Sequence, residues 1–220
     1  MNGYELKQKV KEGGIVYGTM LSTSRNPRWA TPMSNFGLDY VIIDTEHSPR
    51  DRTDIADFLA AFNSSGVVPI QRIPIPDSHY VTMALDGGAQ GVLAPYCETV
   101  EEVNQAIAAM RFTSQGGVRP EEGFERAAAY WGMTEAEYLE KADVWPLNPD
   151  GELLISVIIE SHEGVANARE ISAMPGVAVV TVGSGTLGGV FTSTNAEGER
   201  VRDQEGFDAA VATVLAACKE

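Results

Sequence analysis

The chain has 220 residues, and its 31 acidic side chains outnumber its 16 basic ones, which gives a formal net charge of −15. A chain of this length can bury a sizeable core. A hydrophobic fraction of 44% against 21% charged residues excludes wholesale disorder. The excess of negative charge argues against nucleic acid as a partner, because phosphate binding needs a basic surface.

Targeting and redox features favour a cytoplasmic protein. No stretch approaches the roughly 18 uninterrupted apolar residues of a membrane-spanning helix, so no membrane partner is expected. Residues 1–7 are polar and mixed in charge, unlike a secretory signal. Cys97 and Cys218 lack paired metal or redox spacing and lie in apolar surroundings, so both are expected to be reduced structural thiols.

Short apolar runs alternate with longer amphipathic segments along the chain. Six runs are rich in Val and Ile and bounded by turn-forming residues, which is typical of strands buried on both faces of a parallel sheet. They are Ile15–Leu21, Tyr40–Ile43, Val67–Ile73, Gly91–Ala94, Leu153–Ile159 and Val177–Val182. Apolar residues at helical spacing predict helices around 54–62, 100–110, 165–174 and 207–218. Thr99 and Glu102 form a capping box at the start of the second of these helices.

Strand–helix alternation predicts an α/β fold with a parallel sheet. An open doubly wound sheet and a (β/α)8 barrel are the two candidate architectures. The first strand is not followed by Gly-x-Gly-x-x-Gly, which disfavours the dinucleotide-binding version of the open sheet. Residues 117–151 have polar ends and a short predicted helix around Thr134–Lys141. They are expected to form a long excursion over one face of the sheet, within a single domain over residues 1–220.

Ionisable side chains follow the second predicted strand. Asp44, Glu46 and His47 come directly after Tyr40–Ile43, at the carboxyl end of a parallel strand, where α/β folds place their active sites. His47 is a candidate general base near neutral pH, with its basicity tuned by a neighbouring carboxylate. The alternative is a plain turn, in which Asp44 caps the next helix and His47 lies on the surface.

Gln71 and Arg72 lie near the end of the third predicted strand, and Glu160 follows the fifth. An arginine in an apolar run is costly to bury unless it meets an anion, so Arg72 is a candidate for holding a carboxylate or a developing enolate oxygen. A structural ion pair with Asp44 or Glu46 is the alternative. Glu160 is a candidate ligand for a divalent cation, and its alternative is a helix-capping or paired surface carboxylate.

Two glycine-containing segments complete the set of candidates. Residues 183–189 follow the sixth predicted strand, and their glycines let backbone N–H groups approach an anion; a flexible turn is the alternative. Residues 85–91 are predicted to hold the C-terminus of a helix, capped by glycine. Asp86 is electrostatically disfavoured at that position, which suggests a role for it, although a solvated turn residue is the simpler interpretation.

Four ordered blocks carry a family resemblance. They are residues 43–49 (IDTEHSP), 69–74 (PIQRIP), 84–95 (ALDGGAQGVLAP) and 159–161 (IES). In sequence and in spacing they resemble the HpcH/HpaI aldolase family, the metal-dependent class II pyruvate aldolases related to the citrate lyase β-subunit. The resemblance extends from about residue 14 to residue 187.

The resemblance implies a TIM-type (β/α) barrel, in trimers or hexamers, that makes or breaks a carbon–carbon bond next to a pyruvate enolate. It implies that His47 handles the proton, that Asp86, often from a neighbouring subunit, supports this histidine, and that Arg72 holds the pyruvate keto oxygen. It also implies that Glu160 ligates Mg²⁺ or Mn²⁺. Backbone amides would hold the pyruvate carboxylate, and further polar side chains would support the site. The amides belong to Gly183, Ser184, Gly185, Thr186 and Leu187, and the supporting residues are Asp44, Glu46 and Gln71.

Two features depart from the family pattern. Thr186 stands where the family has a second metal-ligating aspartate, so binding of the divalent metal is expected to be weak or absent. The family continues beyond the helix that ends near Cys218 with two more strands and two more helices. The barrel is therefore expected to be shortened to about six βα units with open edges, and a homo-oligomer is expected to cover those edges.

The expected function is a carbon–carbon lyase, an aldehyde-lyase of the class II pyruvate aldolase type that acts on a 2-keto acid and an aldehyde. The alternative is a paralogue that has lost its metal and serves as a small-acid binding or scaffold protein, or that catalyses a metal-independent reaction. The metal content of the purified protein separates the first hypothesis from the others.

Overall fold

The structure, a computed structural model, describes residues 1–219. The last residue of the predicted domain, Glu220, lies outside the described residues. The strands are β1 (Gly18–Leu21), β2 (Tyr40–Asp44), β3 (Val68–Arg72), β4 (Gly91–Ala94), β5 (Val144–Trp145), β6 (Leu153–Ile159), β7 (Val177–Val182), β8 (Thr192–Thr194) and β9 (Arg200–Arg202). The α-helices are α1 (Gly3–Lys11), α2 (Ala30–Ser34), α3 (Arg52–Ser65), α4 (Ser78–Asp86), α5 (Val100–Met110), α6 (Glu125–Trp131), α7 (Glu135–Lys141), α8 (His162–Ala166), α9 (Ala168–Ser172), α10 (Ser184–Val190) and α11 (Gln204–Ala217).

The main sheet is parallel throughout and curls into a half-barrel. Its strands run in the order β1-β2-β3-β4-β6, and β6 pairs with the two-residue β5 at its start and with β7 along the rest of its length. All six long predicted strands are present, so the expected shortened TIM-type barrel is confirmed. Because the carboxyl ends of parallel strands meet at one edge, the residues that end β2, β3, β4, β6 and β7 face a common region.

The core lies between the sheet and its outer helices. On α3, the side chains of Phe58, Leu59 and Phe62 are fully buried against the sheet, and burial of each such side chain contributes roughly 1.5–3 kcal/mol. Asp51 begins this helix by accepting the N–H groups of Thr53 and Asp54. The strand β4 is buried at all of its positions, as expected for a central strand covered on both faces.

The excursion over residues 117–151 is more structured than its polar ends suggested. The short helix predicted around Thr134–Lys141 is α7, and Thr134 forms a capping box with Glu137. Beside it, Phe112, Phe124 and Tyr138 stack or meet edge to face, with ring centroids 5.3–6.2 Å apart. These aromatic rings are buried and belong to the main hydrophobic core, so the excursion packs onto the body as part of that core.

Other predictions need correction. The helix expected over 165–174 is divided into α8 and α9 at Asn167. The backbone of Asn167 leaves the helical region, and its side-chain amide donates to the carbonyl of Glu98, 2.8 Å away. The helix α1 and the antiparallel β8–β9 hairpin were not predicted. Both cysteines are free, but only Cys97 is buried, so the expectation of apolar surroundings is wrong for Cys218.

No helix within residues 1–219 is both long enough and apolar enough to cross a bilayer.

Candidate active site

A cavity of about 480 Å³ opens inside the half-barrel. Its polar wall is formed by His47, Arg72, Glu160 and residues 183–186, at the carboxyl ends of the strands. Its apolar wall comes from α1 and from strand residues that point inward, including Leu6, Val10, Ile42, Ile70, Leu154 and Ile158. The cavity therefore brings together polar groups from four separate predicted segments. We call it the inner cavity.

Arg72 ends β3 beside the carboxyl end of β2. The parallel register places it opposite Asp44, and its Nε donates to Asp44 Oδ1 at 2.8 Å. Its Nη1 lies 3.1 Å from Glu46 Oε2. The alternative of a structural ion pair is therefore confirmed. The guanidinium also lines the inner cavity, and its role toward a substrate stays a prediction.

The charges of Arg72 and Asp44 stabilise each other. Burial by itself raises the pKa of Asp44, but the hydrogen bond and charge of Arg72, with the N–H groups of Glu46 and His47, bring this pKa below its ordinary value of 3.8. Burial lowers the pKa of Arg72, but the hydrogen bond and charge of Asp44 outweigh this effect and raise it. Both side chains are therefore ionised at neutral pH.

The turn after β2 is organised around Asp44. Its Oδ1 accepts the backbone N–H groups of Glu46 at 3.0 Å and of His47 at 3.3 Å, and its Oδ2 accepts the Ser48 hydroxyl at 3.1 Å. Asp44 caps this turn rather than the next helix, which begins at Asp51. The His47 side chain is 63% exposed, with Nε2 3.5 Å from Glu46 Oε1. It is both a surface residue and a part of the wall of the inner cavity.

Glu160 follows β6 and is buried. Its Oε1 accepts the backbone N–H of Tyr96 at 3.2 Å. A Cβ atom built on Gly183 would lie 2.9 Å from Glu160 Oε2, so a glycine is needed at that position to make room for the carboxylate. The helix-capping alternative is wrong, because Ser161 caps α8 by accepting the N–H of Gly164.

The glycine-rich segment after β7 is the first turn of α10 rather than a flexible loop. Gly183, Ser184, Gly185 and Thr186 line the inner cavity, and the first N–H groups of a helix have no partner within it. Leu187 differs, because its side chain is fully buried in the core and its N–H donates to Gly183 O at 2.8 Å. The structure thus places four of the five predicted residues on the cavity wall.

Two predicted site residues lie elsewhere. Asp86 and Gln71 line a separate cavity of about 630 Å³ between α3 and α4, on the outside of the sheet, which we call the outer cavity. Asp86 Oδ1 accepts Nε and Nη2 of Arg119 at 3.1 and 2.8 Å, and Gln71 donates to Thr45 at 3.3 Å. Burial raises the pKa of Asp86, although Arg119 opposes this change. The support of His47 by an Asp86 from a neighbouring subunit stays a prediction.

Two residues of these regions were missed by the sequence analysis. Tyr96 comes two residues after β4 and contacts Glu160 through its backbone. Its position just beyond the end of a parallel strand was the signal that could have found it. Arg119 is fully buried against Phe112 and Tyr138. An arginine at the start of a long excursion gave no comparable signal, because its partner Asp86 is 33 residues away in the chain.

Whether the inner cavity can hold a divalent cation depends on how many carboxylates near Arg72 are free to bind it. Asp44 and Glu46 contact its guanidinium, and Glu160 adds a further negative charge nearby, so the group is net negative. Residues 1–219 hold no group of three or more His, Cys, Asp or Glu side chains arranged for a metal ion. Glu160, with its Oε2 on the side of Gly183, therefore fits a cation that takes one carboxylate from the protein and its other ligands from water and substrate.

The sequence was compared with families and with individual proteins. The model of the family described as "HpcH/HpaI aldolase/citrate lyase" matches residues 19–220. A hydroxypyruvate/pyruvate aldolase of Roseobacter denitrificans is 30% identical over 181 residues, which is 82% of this chain and 67% of that protein. A 5-keto-4-deoxy-D-glucarate aldolase of Shigella boydii is 31% identical over 166 residues, covering 76% of this chain and 61% of that protein.

Solved structures agree with these matches. The crystal structure of an HpcH/HpaI aldolase/citrate lyase family protein from Burkholderia cenocepacia superposes with a TM-score of 0.80 at 31% identity. The match covers 98% of this chain and 80% of that one, so it includes β1 to β7 and their carboxyl ends. With a family model that spans nearly the whole chain and a shared half-barrel, the chain belongs to the HpcH/HpaI aldolase/citrate lyase family.

Proposed function

We propose that this chain, as one domain over residues 1–220, is a pyruvate-type aldolase that forms or cleaves a carbon–carbon bond in 4-hydroxy-2-keto acids. The observation that carries the proposal is the placement of Arg72 in the inner cavity, oriented by Asp44 and facing the same space as His47 and Glu160. The names of the relatives from Roseobacter denitrificans and Shigella boydii, both aldolases, support the same class of reaction.

Arg72 stabilises the negative charge that develops on the keto oxygen as the enolate forms. Its guanidinium is held in one orientation by Asp44 and Glu46, so little reorganisation is needed when the charge appears. The guanidinium group is planar and has five N–H donors, so it can remain bonded to Asp44 and Glu46 and still donate an N–H to an enolate oxygen.

His47 moves the proton of the aldol hydroxyl group. In the cleavage direction Nε2 accepts this proton, directly or through one water molecule, while the carbon–carbon bond breaks and the aldehyde forms. In the condensation direction the same nitrogen returns the proton to the aldehyde oxygen. Glu46 Oε1 lies 3.5 Å from Nε2, on the same imidazole nitrogen that handles the proton.

The first turn of α10 binds the carboxylate of the keto acid. Ser184, Gly185 and Thr186 line the inner cavity, and N–H groups in the first turn of a helix are free to donate. This contact orients the substrate so that its keto oxygen points at Arg72.

Glu160 is the residue that would hold a divalent cation, Mg²⁺ or Mn²⁺, in this cavity. Such a cation supplies Lewis-acid polarisation of the keto acid when it is bound. With a single protein carboxylate in the set, we expect the affinity to be low until the substrate contributes its own oxygen atoms.

A direct assay tests the proposal. The purified protein is given oxaloacetate, whose decarboxylation passes through the pyruvate enolate, and a 4-hydroxy-2-keto acid, with and without Mg²⁺ or Mn²⁺. We expect release of pyruvate from both compounds, with the metal increasing the rate. Binding of the keto acids without any turnover, under all metal conditions, would instead support the small-acid binding protein.

We also propose that the chain forms a homo-oligomer. Within residues 1–219, β1 pairs only with β2 and β7 pairs only with β6, so each leaves backbone donors and acceptors on its outer side. Exposed apolar side chains lie near these edges, among them Ile15, Tyr17 and Val179. Light scattering at micromolar concentration should give a mass that is a multiple of 23.6 kDa, and a stable monomer would contradict this proposal.

A further inference from the structure

Tyr96 has an unusual backbone conformation beside the inner cavity. Among residues 1–219 it is the only residue other than glycine with a positive φ, at +55°. For a residue with a Cβ atom this left-handed conformation is strained, and it persists only where the surroundings enforce it. The position is 43% exposed and follows Pro95 at the end of β4, so burial of the ring does not account for the strain.

The backbone of Tyr96 holds one of the site carboxylates. Its N–H donates to Glu160 Oε1 at 3.2 Å. This bond fixes one oxygen of Glu160 and leaves Oε2 on the side of Gly183. The left-handed conformation is thus associated with a specific hydrogen bond that orients Glu160.

The side chain of Tyr96 reaches a second carboxylate. Its hydroxyl group lies near Glu46, whose negative charge is the main reason that the pKa of Tyr96 is raised. The same Glu46 carboxylate contacts Arg72 and His47 through its two oxygens. One residue therefore contacts Glu160 through its backbone and lies near the acidic partner that Arg72 and His47 share.

We propose that Tyr96 is a positioning residue, which fixes Glu160 through its backbone N–H and Glu46 through its hydroxyl group, and so sets the geometry of Arg72 and His47. This inference rests on the proposed aldolase function for its catalytic meaning. The strain is retained because a negative φ would require one side of the chain to move, either the Pro95–Tyr96 peptide that carries the N–H or the segment that leads into α5.

Two substitutions separate the two contacts. Tyr96→Phe removes only the hydroxyl group, and the φ and the N–H contact are kept. Tyr96→Gly removes the ring and relieves the strain, because glycine adopts positive φ readily. Tyr4→Phe is the matched control, since Tyr4 is 48% exposed, close to the 43% of Tyr96, and its ring lies beside Lys7.

Steady-state kinetics and thermal unfolding are measured for all four proteins. We expect Tyr96→Phe to lower kcat about tenfold, which corresponds to loss of one hydrogen bond to a charged group, with KM for the keto acid changed less than threefold. Tyr96→Gly should lower kcat further while its melting temperature stays within about 2 °C of the wild type or rises. Tyr4→Phe should match the wild type.

A second measurement does not depend on turnover. Calorimetric titration with oxalate, a planar dianion of the shape of the pyruvate enolate, in the presence of Mn²⁺ should give an affinity about tenfold weaker for Tyr96→Phe than for the wild type. If the wild type lacks lyase activity, the proposed function fails and this titration still decides the role of Tyr96. The inference is overturned if Tyr96→Phe and Tyr96→Gly bind oxalate as the wild type does, or if kcat falls only in proportion to lost folded protein.

Discussion

The inner and outer cavities hold two ion clusters of different design. In the inner cavity Arg72 faces several carboxylates, and part of the cluster is open to solvent and ligand. In the outer region a single carboxylate, Asp86, pairs with an arginine that is completely buried between aromatic rings. The first arrangement leaves positive charge accessible to a substrate. In the second arrangement Arg119 and Asp86 neutralise each other, and their ion pair holds the excursion against the end of α4.

Adjacent residues of β3 contribute to both regions. The side chain of Arg72 faces the inner cavity and that of Gln71 faces the outer one, because successive side chains of a strand point to opposite faces of the sheet. The comparison shows that closeness in sequence and similar chemistry do not place two residues in one site. Four predictions test the division, from the largest expected effect to the smallest.

The largest effect is expected for Arg72→Ala. If this guanidinium stabilises an enolate, its removal should cost about 3 kcal/mol or more of transition-state stabilisation, measured as kcat/KM in the aldol-cleavage assay. Arg72→Lys should recover little of the loss, because an ammonium group cannot replace the planar fork that meets Asp44 and Glu46. Near-wild-type turnover of Arg72→Ala would show that Arg72 does not stabilise the enolate and that the inner cluster takes no part in the mechanism.

In the outer region the expected effect is on stability. Arg119→Met leaves the Asp86 carboxylate without its buried partner and should lower the free energy of unfolding by about 3 kcal/mol, measured by urea denaturation. Lys141→Met is the control, since Glu140 of the Lys141–Glu140 pair is exposed and Lys141 is only partly buried, so this pair should contribute less than about 1 kcal/mol. The double variant Arg119→Met/Asp86→Asn should recover part of the loss. If Arg119→Met and Lys141→Met lower the free energy of unfolding equally, the structural role of Arg119 is refuted.

Asp44→Asn tests the acidic side of the inner cluster through its pH dependence. The pKa of Asp44 is lowered in the folded state, so its contribution to stability is complete well above its ordinary value of 3.8 and is lost as the pH falls through the folded-state pKa. The variant should be about 2 kcal/mol less stable at pH 7, and this difference should shrink below about pH 4. A pH-independent difference would contradict the assigned shift, and Asp208→Asn on exposed α11 serves as the control.

The smallest effect is expected for Thr186→Asp. Thr186 is exposed and lines the inner cavity, so a carboxylate can be accommodated there without burial. A second anionic ligand in the cavity that Glu160 also lines should raise Mn²⁺ affinity about tenfold or more, measured by calorimetric titration without substrate. Tight Mn²⁺ binding by the unmodified protein, undiminished by Glu160→Gln, would show that the cation binds outside the inner cavity.

Much of the fold was predictable because it is encoded locally. The six long strands are continuous apolar runs, the Thr99–Glu102 capping box begins α5, and the Thr134–Glu137 box begins α7. Such signals depend on residues within a few positions of each other. The division of α8 from α9 was not predictable in this way, because the amide of Asn167 bonds to a carbonyl 69 residues earlier.

The candidate site shows the same limit. By itself the sequence determined that His47, Arg72 and Glu160 follow parallel strands, and therefore that they share one edge of the sheet. Only the tertiary structure decided that Asp86 pairs with Arg119, that Leu187 joins the core, and that Tyr96 adopts a positive φ. These outcomes depend on contacts between distant segments and on the direction of each side chain, which strand order alone does not specify.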